Sequence, residues 1–176
     1  FSPLGVLGDL GSHAVDLLLW WFGPIGHVRG TGRTVTAGAT NLGACDLVLE
    51  FASGAQATLH CSRIAKAANH DLEIRGSAGT LTHGLADPGA LVVEAGGSKE
   101  RIEVEAPLDL ADAAALRRRM AAGRNREIEE VLRHFTGDAL GDAFPTFAQA
   151  HACQRVLDAA ARSIASGERV AISETD

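Results

Sequence analysis

One short segment near the start of the chain collects the side chains that acid–base chemistry needs. In Gly8-Asp9-Leu10-Gly11-Ser12-His13-Ala14-Val15-Asp16 an imidazole stands four residues after one carboxylate and three before another. Extended as an α-helix, in which each residue advances ~100°, the segment gathers Asp9, His13, Asp16 and Trp20 in one stripe. Val15, Leu18, Leu19 and Phe22 fall on the opposite side, where a helix meets its core. A histidine near a helix N-terminus is kept neutral by the dipole, and neutral imidazole is the form that accepts a proton. Asp9 would then fix the imidazole tautomer or accept a substrate hydroxyl. The same residues also have a purely structural reading, in which the aspartate caps the entry turn and the histidine is a satisfied polar side chain. Metal binding through Asp9 and His13 is a third reading, but no further ligand stands nearby.

Other chemistry-bearing residues are more scattered. His60 and Arg63 fall where a predicted hairpin ends, a place from which side chains often enter clefts, and both are candidates for substrate contact. His70 reads as surface decoration and His151 as helix packing. The chain holds no G-x-S-x-G, P-loop or H-E-x-x-H motif. Its nearest approach to a dinucleotide fingerprint, Gly30-Thr31-Gly32-Arg33-Thr34-Val35, lacks the third glycine and sits in a predicted strand.

The elements that would position these groups follow from hydrophobic period and turn signals. A helix is predicted over about Gly11–Phe22, with Ser12 as N-cap and Gly23-Pro24 as its stop. Strands follow at His27–Thr36 and Cys45–Phe51, then the turn Ser53-Gly54 and a strand at Ala55–Ser62. After a polar stretch, Arg63–Asn69, a second hairpin is predicted from Asp71–Arg75 and Thr80–Thr82 around the turn Gly76–Gly79. A third joins Ala90–Glu94 to Arg101–Glu105 through Gly96-Gly97. Pro107 ends the β region. A helix across Ala111–Phe135, with a break near Gly123, is followed by another from Pro145 to about Ser166. Gly167 stops it, and Arg169–Ile172 returns as an edge strand. Strands in sequence between helices predict an α+β domain with a mostly antiparallel open sheet and helices packed on one face.

Composition narrows the function classes. The chain has 176 residues, 46% hydrophobic and 22% charged, enough for one domain with a core. A net charge of −6 gives no general attraction to nucleic acid or anionic membranes, and the run Arg117–Arg119 reads as a solvated helix face. Three separated cysteines, Cys45, Cys61 and Cys153, form no C-x-x-C pair and read as buried free thiols in a reducing cytoplasm. The longest apolar run, Ala14–Phe22, contains Asp16 and is far shorter than the roughly 20 residues that span a bilayer. The chain opens at Phe1 rather than Met and reads as a fragment.

The segment from Gly8 to Asp16, with Trp20 and Gly23, resembles the start of the C-terminal domain of the Gfo/Idh/MocA oxidoreductases, the relatives of glucose–fructose oxidoreductase and inositol 2-dehydrogenase. Leu72-Glu73-Ile74-Arg75-Gly76-Ser77-Ala78-Gly79-Thr80-Leu81 is similar to that family's strand–turn–strand. Pro145-Thr146-Phe147, Val156-Leu157-Asp158-Ala159 and Ser163 through Ser166-Gly167 to Val170 resemble its closing helix and last strand. The resemblance runs in order along essentially the whole chain.

It implies a two-domain enzyme in which residues 1–176 are the substrate-binding and oligomerisation half. An N-terminal Rossmann half, absent here, would bind NAD or NADP. In the family's D-x-x-x-H pattern the matching residues are Asp9 and His13. His13 is implied to take the proton from a substrate hydroxyl, and Asp9 to hold substrate or orient the imidazole; Asp16 is a supporting candidate. A catalytic Lys in a Glu-Lys-Pro motif is implied for the nucleotide domain; here Lys66 and Lys99 are not followed by Pro. Ser2-Pro3-Leu4-Gly5 replaces the family's glycine run, and Gln149-Ala150 replaces an acidic-Gly pair. The implied reaction is hydride transfer between nicotinamide and a secondary alcohol of a sugar or polyol, with the isolated piece inactive. A homodimer or homotetramer would pair through the exposed sheet face. The competing reading is a non-catalytic scaffold that associates through that face, using branched residues in Leu47–Phe51 and Ala57–Leu59.

Overall fold

The computed structural model describes residues 4–35, 38–66, 69–85, 87–104, 113–137 and 145–173. The chain divides into two compact units, Phe1–Ala65 with Pro145–Asp176, and Lys66–Phe144. The α+β class and the antiparallel pairing are as expected, but the described strands are shared between two four-stranded sheets. The polar stretch after residue 62 ends the first sheet.

The first unit begins with a π-helical turn, Leu7–Gly11, that runs directly into α1, Ser12–Phe22. Strands β1 (Ile25–Arg33), β2 (Ala44–Phe51) and β3 (Gln56–Ser62) follow, then helix α3 (Phe147–Ser166) and strand β8 (Val170–Ala171). The sheet order is β3-β2-β1-β8, all antiparallel. Alternation sets its two faces, because a strand repeats every two residues. Leu47, Leu49 and Phe51 of β2 turn inward with Val28 of β1 and Cys61 of β3, against Val15 of α1 and Val156, Leu157, Ala159 and Ala160 of α3. Leu59 and Ala57 pack on the same cluster. Of the apolar residues in the two segments expected to mediate association, Leu47, Leu49, Phe51, Ala57 and Leu59 pack into the core, and Val48 faces outward. The outward face is polar instead: Arg29, Thr31, Asp46, Thr58 and His60 are exposed there, with Val48 its exposed apolar member.

Helix α3 lies close on β1 because Gly30 and Gly32 of β1 carry no side chain in its way. A Cβ on Gly30 would stand 2.7 Å from Leu47 Cδ2 and 3.0 Å from Ile164 Cγ1. Gly32 is similarly filled, by Leu42 and Ile164. The glycines of the Gly30-Thr31-Gly32 segment thus serve helix–sheet packing. Strand β8 pairs with β1 only at His27 and Val28, and Ile172 N–H adds a bond to the Gly26 carbonyl. One step further along the ladder, Ser163 takes over: its Oγ accepts the Gly30 N–H at 2.9 Å and donates to the Glu168 carbonyl at 2.5 Å. The fully buried hydroxyl bridges the donor and acceptor that a longer β8 would have paired directly.

Helix α3 starts with a capping box. Thr146 Oγ1 accepts the Gln149 N–H at 3.2 Å, and Gln149 Oε1 accepts the Thr146 N–H at 2.7 Å. Gln149, which departs from the family pattern, has a local structural use here. Gly167 closes the helix in the left-handed conformation, at φ 77°. His151 is exposed on this helix and does not pack as expected.

The second unit holds strands β4 (Leu72–Gly76), β5 (Gly79–His83), β6 (Ala90–Ala95) and β7 (Ser98–Glu103) in a sequential antiparallel meander, and helix α2 (Ala113–Thr136). Strand β7 begins three residues earlier than expected, immediately after the Gly96-Gly97 turn, and Glu105 lies outside the described residues. Helix α2 is continuous through Gly123, where nothing lies within 4 Å of a Cβ position. An exposed glycine lowers helix propensity by about 1 kcal/mol without breaking the hydrogen-bond ladder. Its Arg117 and Arg118 are exposed, as a solvated face requires. Among the described residues, no helix is long and apolar enough to cross a membrane.

Candidate active site

The helix that carries the candidate residues starts earlier than its sequence suggests. Gly5 turns the chain with φ 61°, where a Cβ would lie 2.4 Å from the Leu42 carbonyl oxygen, so only glycine fits. The Val6 N–H bonds to that Leu42 carbonyl at 2.9 Å, and the Asp9 N–H to the Gly5 carbonyl at 3.1 Å. Ser12 is therefore inside the helix and not its N-cap; its hydroxyl bonds back to the Asp9 carbonyl at 3.4 Å. With the true N-terminus near Val6, Asp9 is the residue in the first turn. The dipole effect fades within one turn, so Asp9, and not His13, stands within its reach.

The turn Leu7–Gly11 is π-helical, with i→i+5 bonds and more residues per turn than an α-helix. In an α-helix, positions four apart drift by about 40° per step. The wider turn offsets that drift, and Leu7, Gly11 and Val15 all stay buried at four-residue intervals. Asp9 and His13 share the same interval on the other side. His13, Asp16 and Trp20 are exposed, Trp20 at 67%, while Leu18, Leu19 and Phe22 pack on the core. The division of faces read from the sequence holds.

Arg63, just beyond β3, is brought to Asp9. Its N–H bonds to the Gly43 carbonyl at 3.0 Å, which extends the β2–β3 ladder by one step and fixes where its side chain starts. Its guanidinium then forms an ion pair with Asp9 Oδ2, an oxygen closed off from solvent. Both side chains remain about half exposed. Asp9 is thus a half-covered carboxylate between a helix start and an arginine, beside an exposed imidazole. Such a carboxylate can accept a hydrogen bond from a substrate hydroxyl.

His60 is placed elsewhere. It points from the outward face of the first sheet, opposite the helices, where its Nδ1 meets Asp46 Oδ1 at 2.6 Å. Asp46 is its cross-strand partner on β2, a pairing the sequence did not reveal because it needs the hairpin register. His60 is therefore not brought to Asp9 and His13. His70 is exposed, as expected. Asp16 lies on the exposed side of α1; its charge, after burial as the larger cause, helps push the Cys153 thiol up to about 11. Cys153 Sγ donates to the Ser12 carbonyl at 3.5 Å and links α3 to α1 beneath the candidate site. Among the described residues no three His, Cys, Asp or Glu side chains converge as a metal site. No glycine-rich phosphate cradle exists at β1, since its glycines are filled by Leu47 and Ile164, so the residues at β1 do not fit a dinucleotide.

Residues 3–82, which include Asp9, His13 and Arg63, match the family model of the GFO/IDH/MocA C-terminal domain. That part of the chain is similar to the C-terminal domain of this family. Solved structures share its fold over nearly the whole chain. An oxidoreductase domain protein from Kribbella flavida is 24% identical, with a TM-score of 0.78 over 97% of this chain and 50% of its own. An NAD-binding oxidoreductase from Klebsiella pneumoniae is 21% identical, TM-score 0.74, over 97% of this chain and 51% of its own. Levoglucosan dehydrogenase, in complex with NADH and levoglucosan, is 18% identical, TM-score 0.72, over 97% and 51%. The chain thus spans about half the length of these structures. No curated protein sequence matches it.

Proposed function

We propose that this domain is the substrate half of an NAD- or NADP-dependent dehydrogenase acting on a secondary alcohol of a sugar, polyol or similar small molecule. The observation that carries the proposal is the placement of Asp9 and His13 on the solvent side of one helix start, within the residues that match the family. His13 is the acid–base group: exposed and at the helix surface, it reaches a substrate hydroxyl and takes its proton as the alcohol is oxidised. Asp9, fixed by the π-turn and by Arg63, accepts a hydroxyl and so orients the sugar. Arg63 positions Asp9 and presents its remaining N–H groups to substrate, and Asp16 is a weaker contact on the same helix. The dinucleotide would supply the hydride acceptor, and residues outside this chain would hold it.

The two units act together as one substrate-binding half, and the isolated chain is inactive. Copies associate through a sheet face. On the second sheet, register places Leu72, Ile74, Leu81, Leu91, Val93 and Ile102 on one face, and Ile102 is exposed at 39%. Val93→Glu should then lower the mass in solution, and an unchanged mass would rule that face out. A protein of this kind works in the cytoplasm.

The experiment expresses the full reading frame that contains this chain and follows NAD(P)H formation over a panel of polyols and sugars. His13→Ala should lower turnover by about 10²-fold or more. Asp9→Asn should raise KM more than it lowers kcat. A His13 variant within a few-fold of the parent would remove the assignment, and the scaffold reading would replace it.

A further inference from the structure

Cys45 of β2 and Cys61 of β3 are direct cross-strand partners. Both face the core, at 1% and 5% exposure, and both are free thiols. The Phe51 N–H bonds to the Ala55 carbonyl at 2.9 Å at one end of this hairpin, and the Arg63 N–H to the Gly43 carbonyl at 3.0 Å at the other. Hydrogen-bonded pairs alternate along an antiparallel ladder, so 45 and 61 form one of them. Their Cα atoms are then about 5.5 Å apart, inside the roughly 4.4–6.8 Å range that a disulfide needs.

The two side chains act on each other ahead of burial, which raises the Cys45 thiol above its ordinary value and draws the Cys61 thiol below it. One feature gives a small oxidant a way in: strand β3 is the edge of its sheet, and Cys61 on it keeps 5% exposure. Cys153 is different, since its sulfur donates to a backbone carbonyl and has no cysteine beside it.

We propose that Cys45 and Cys61 are a disulfide-forming site that hydrogen peroxide closes in the folded protein. The Cys61 thiolate attacks peroxide; the S–O bond forms as the O–O bond breaks, and hydroxide leaves with the proton that Cys61 released, as water. Cys45 sulfur then attacks the sulfenic sulfur; the S–S bond forms, the S–O bond breaks, and the Cys45 proton leaves with the second water. Two thiols are oxidised to one disulfide and one peroxide is reduced to two waters. This site is independent of the dehydrogenase reading.

The test treats the reduced chain with excess hydrogen peroxide, quenches it, denatures it and alkylates with N-ethylmaleimide. The untreated chain takes one adduct at each of its three cysteines. The oxidised chain should take a single adduct, at Cys153. The tryptic peptide 34–63, which holds both partners, should lose the mass of two hydrogens, and cleavage after Glu50 should leave its halves linked. Cys45→Ala should instead leave a sulfenic acid at Cys61 that dimedone traps. Should that variant fail to fold, the thiol count on the unaltered chain decides alone. Three adducts after peroxide, sulfinic acid at Cys61 beside a free Cys45, or a bond to Cys153 would each overturn the proposal.

Discussion

Replacing Ser163 with alanine tests how the edge of β1 is closed. The hydroxyl is fully buried and carries two neutral hydrogen bonds, from the Gly30 N–H and to the Glu168 carbonyl. Alanine leaves both groups without it. Glu168 is exposed, so its carbonyl turns to water at little cost. Gly30 is buried beneath Ile164 and has no strand on its β8 side, so its N–H stays unpaired. An unsatisfied buried donor costs about 1–3 kcal/mol and a lost neutral hydrogen bond about 1 kcal/mol, which gives about 2–4 kcal/mol in all. That is a roughly 30- to 900-fold fall in the folded population ratio, a large part of the about 5–15 kcal/mol that holds a domain.

Urea unfolding read by tryptophan fluorescence measures it cleanly. The chain's two tryptophans, Trp20 and Trp21, lie in α1, in the same unit as Ser163. The midpoint should fall with an unchanged slope. Ser166→Ala, on the exposed end of the same helix, should stay within about 0.5 kcal/mol of the parent. A Ser163→Ala loss as small as that of the control would refute the idea that this hydroxyl stands in for missing strand.

Three further outcomes follow from the geometry. Gly5→Ala should destabilise the first unit by more than about 1 kcal/mol, because it combines φ 61° with backbone at 2.4 Å; circular dichroism melts would register it, and a neutral result would reject the tight turn. Thr146→Ala removes half of the capping box and should cost about 1 kcal/mol in the same melts, whereas Thr146→Ser should be nearly silent. Glu50, bound to the Arg169 guanidinium at 2.8 and 2.6 Å, is held below its usual value of 4.5 chiefly by that hydrogen bond. A carboxylate held low stabilises the fold above its unfolded pKa, and the contribution disappears as pH falls through the lower folded value. Carboxyl NMR should therefore show Glu50 titrating below 4.5, and Arg169→Gln should return it to that value.

Much of this fold is legible in the sequence because its cues are local. Gly23-Pro24, Ser53-Gly54, Gly96-Gly97 and Gly167 each mark a real boundary, and the apolar stripe of α1 is the one that packs. The same local reading places Asp9 and His13 together on one helix surface. What escapes it depends on residues far apart in the chain. Ser12 has an N-cap's chemistry, but the Leu42 carbonyl lets the helix begin at Val6. Arg63 reaches Asp9, and His60 is turned away to Asp46, only because the β2–β3 register carries neighbouring positions to opposite faces. The apolar residues of β2 were legible as a strand but not by which face would be covered, since alternation alone does not say where the helices lie. Thr146 and Gln149 were visible as a T-x-x-Q box, and comparison with a family pattern hid their local use.

The π-turn has a consequence for how the chain tolerates changes of length. Leu7–Gly11 holds one residue more than the same span of α-helix would need. Deleting Leu10 need not break the helix: the turn relaxes to α geometry and what lies upstream keeps nearly its register to α1. Leu7 would stay on the core side, but Asp9 would then stand three residues before His13 instead of four, although composition and hydropathy would hardly change. A substitution anywhere in the turn keeps the count and so keeps the alignment. The four-residue interval from Asp9 to His13 is thus tied to the number of residues in the turn as strictly as to their identity.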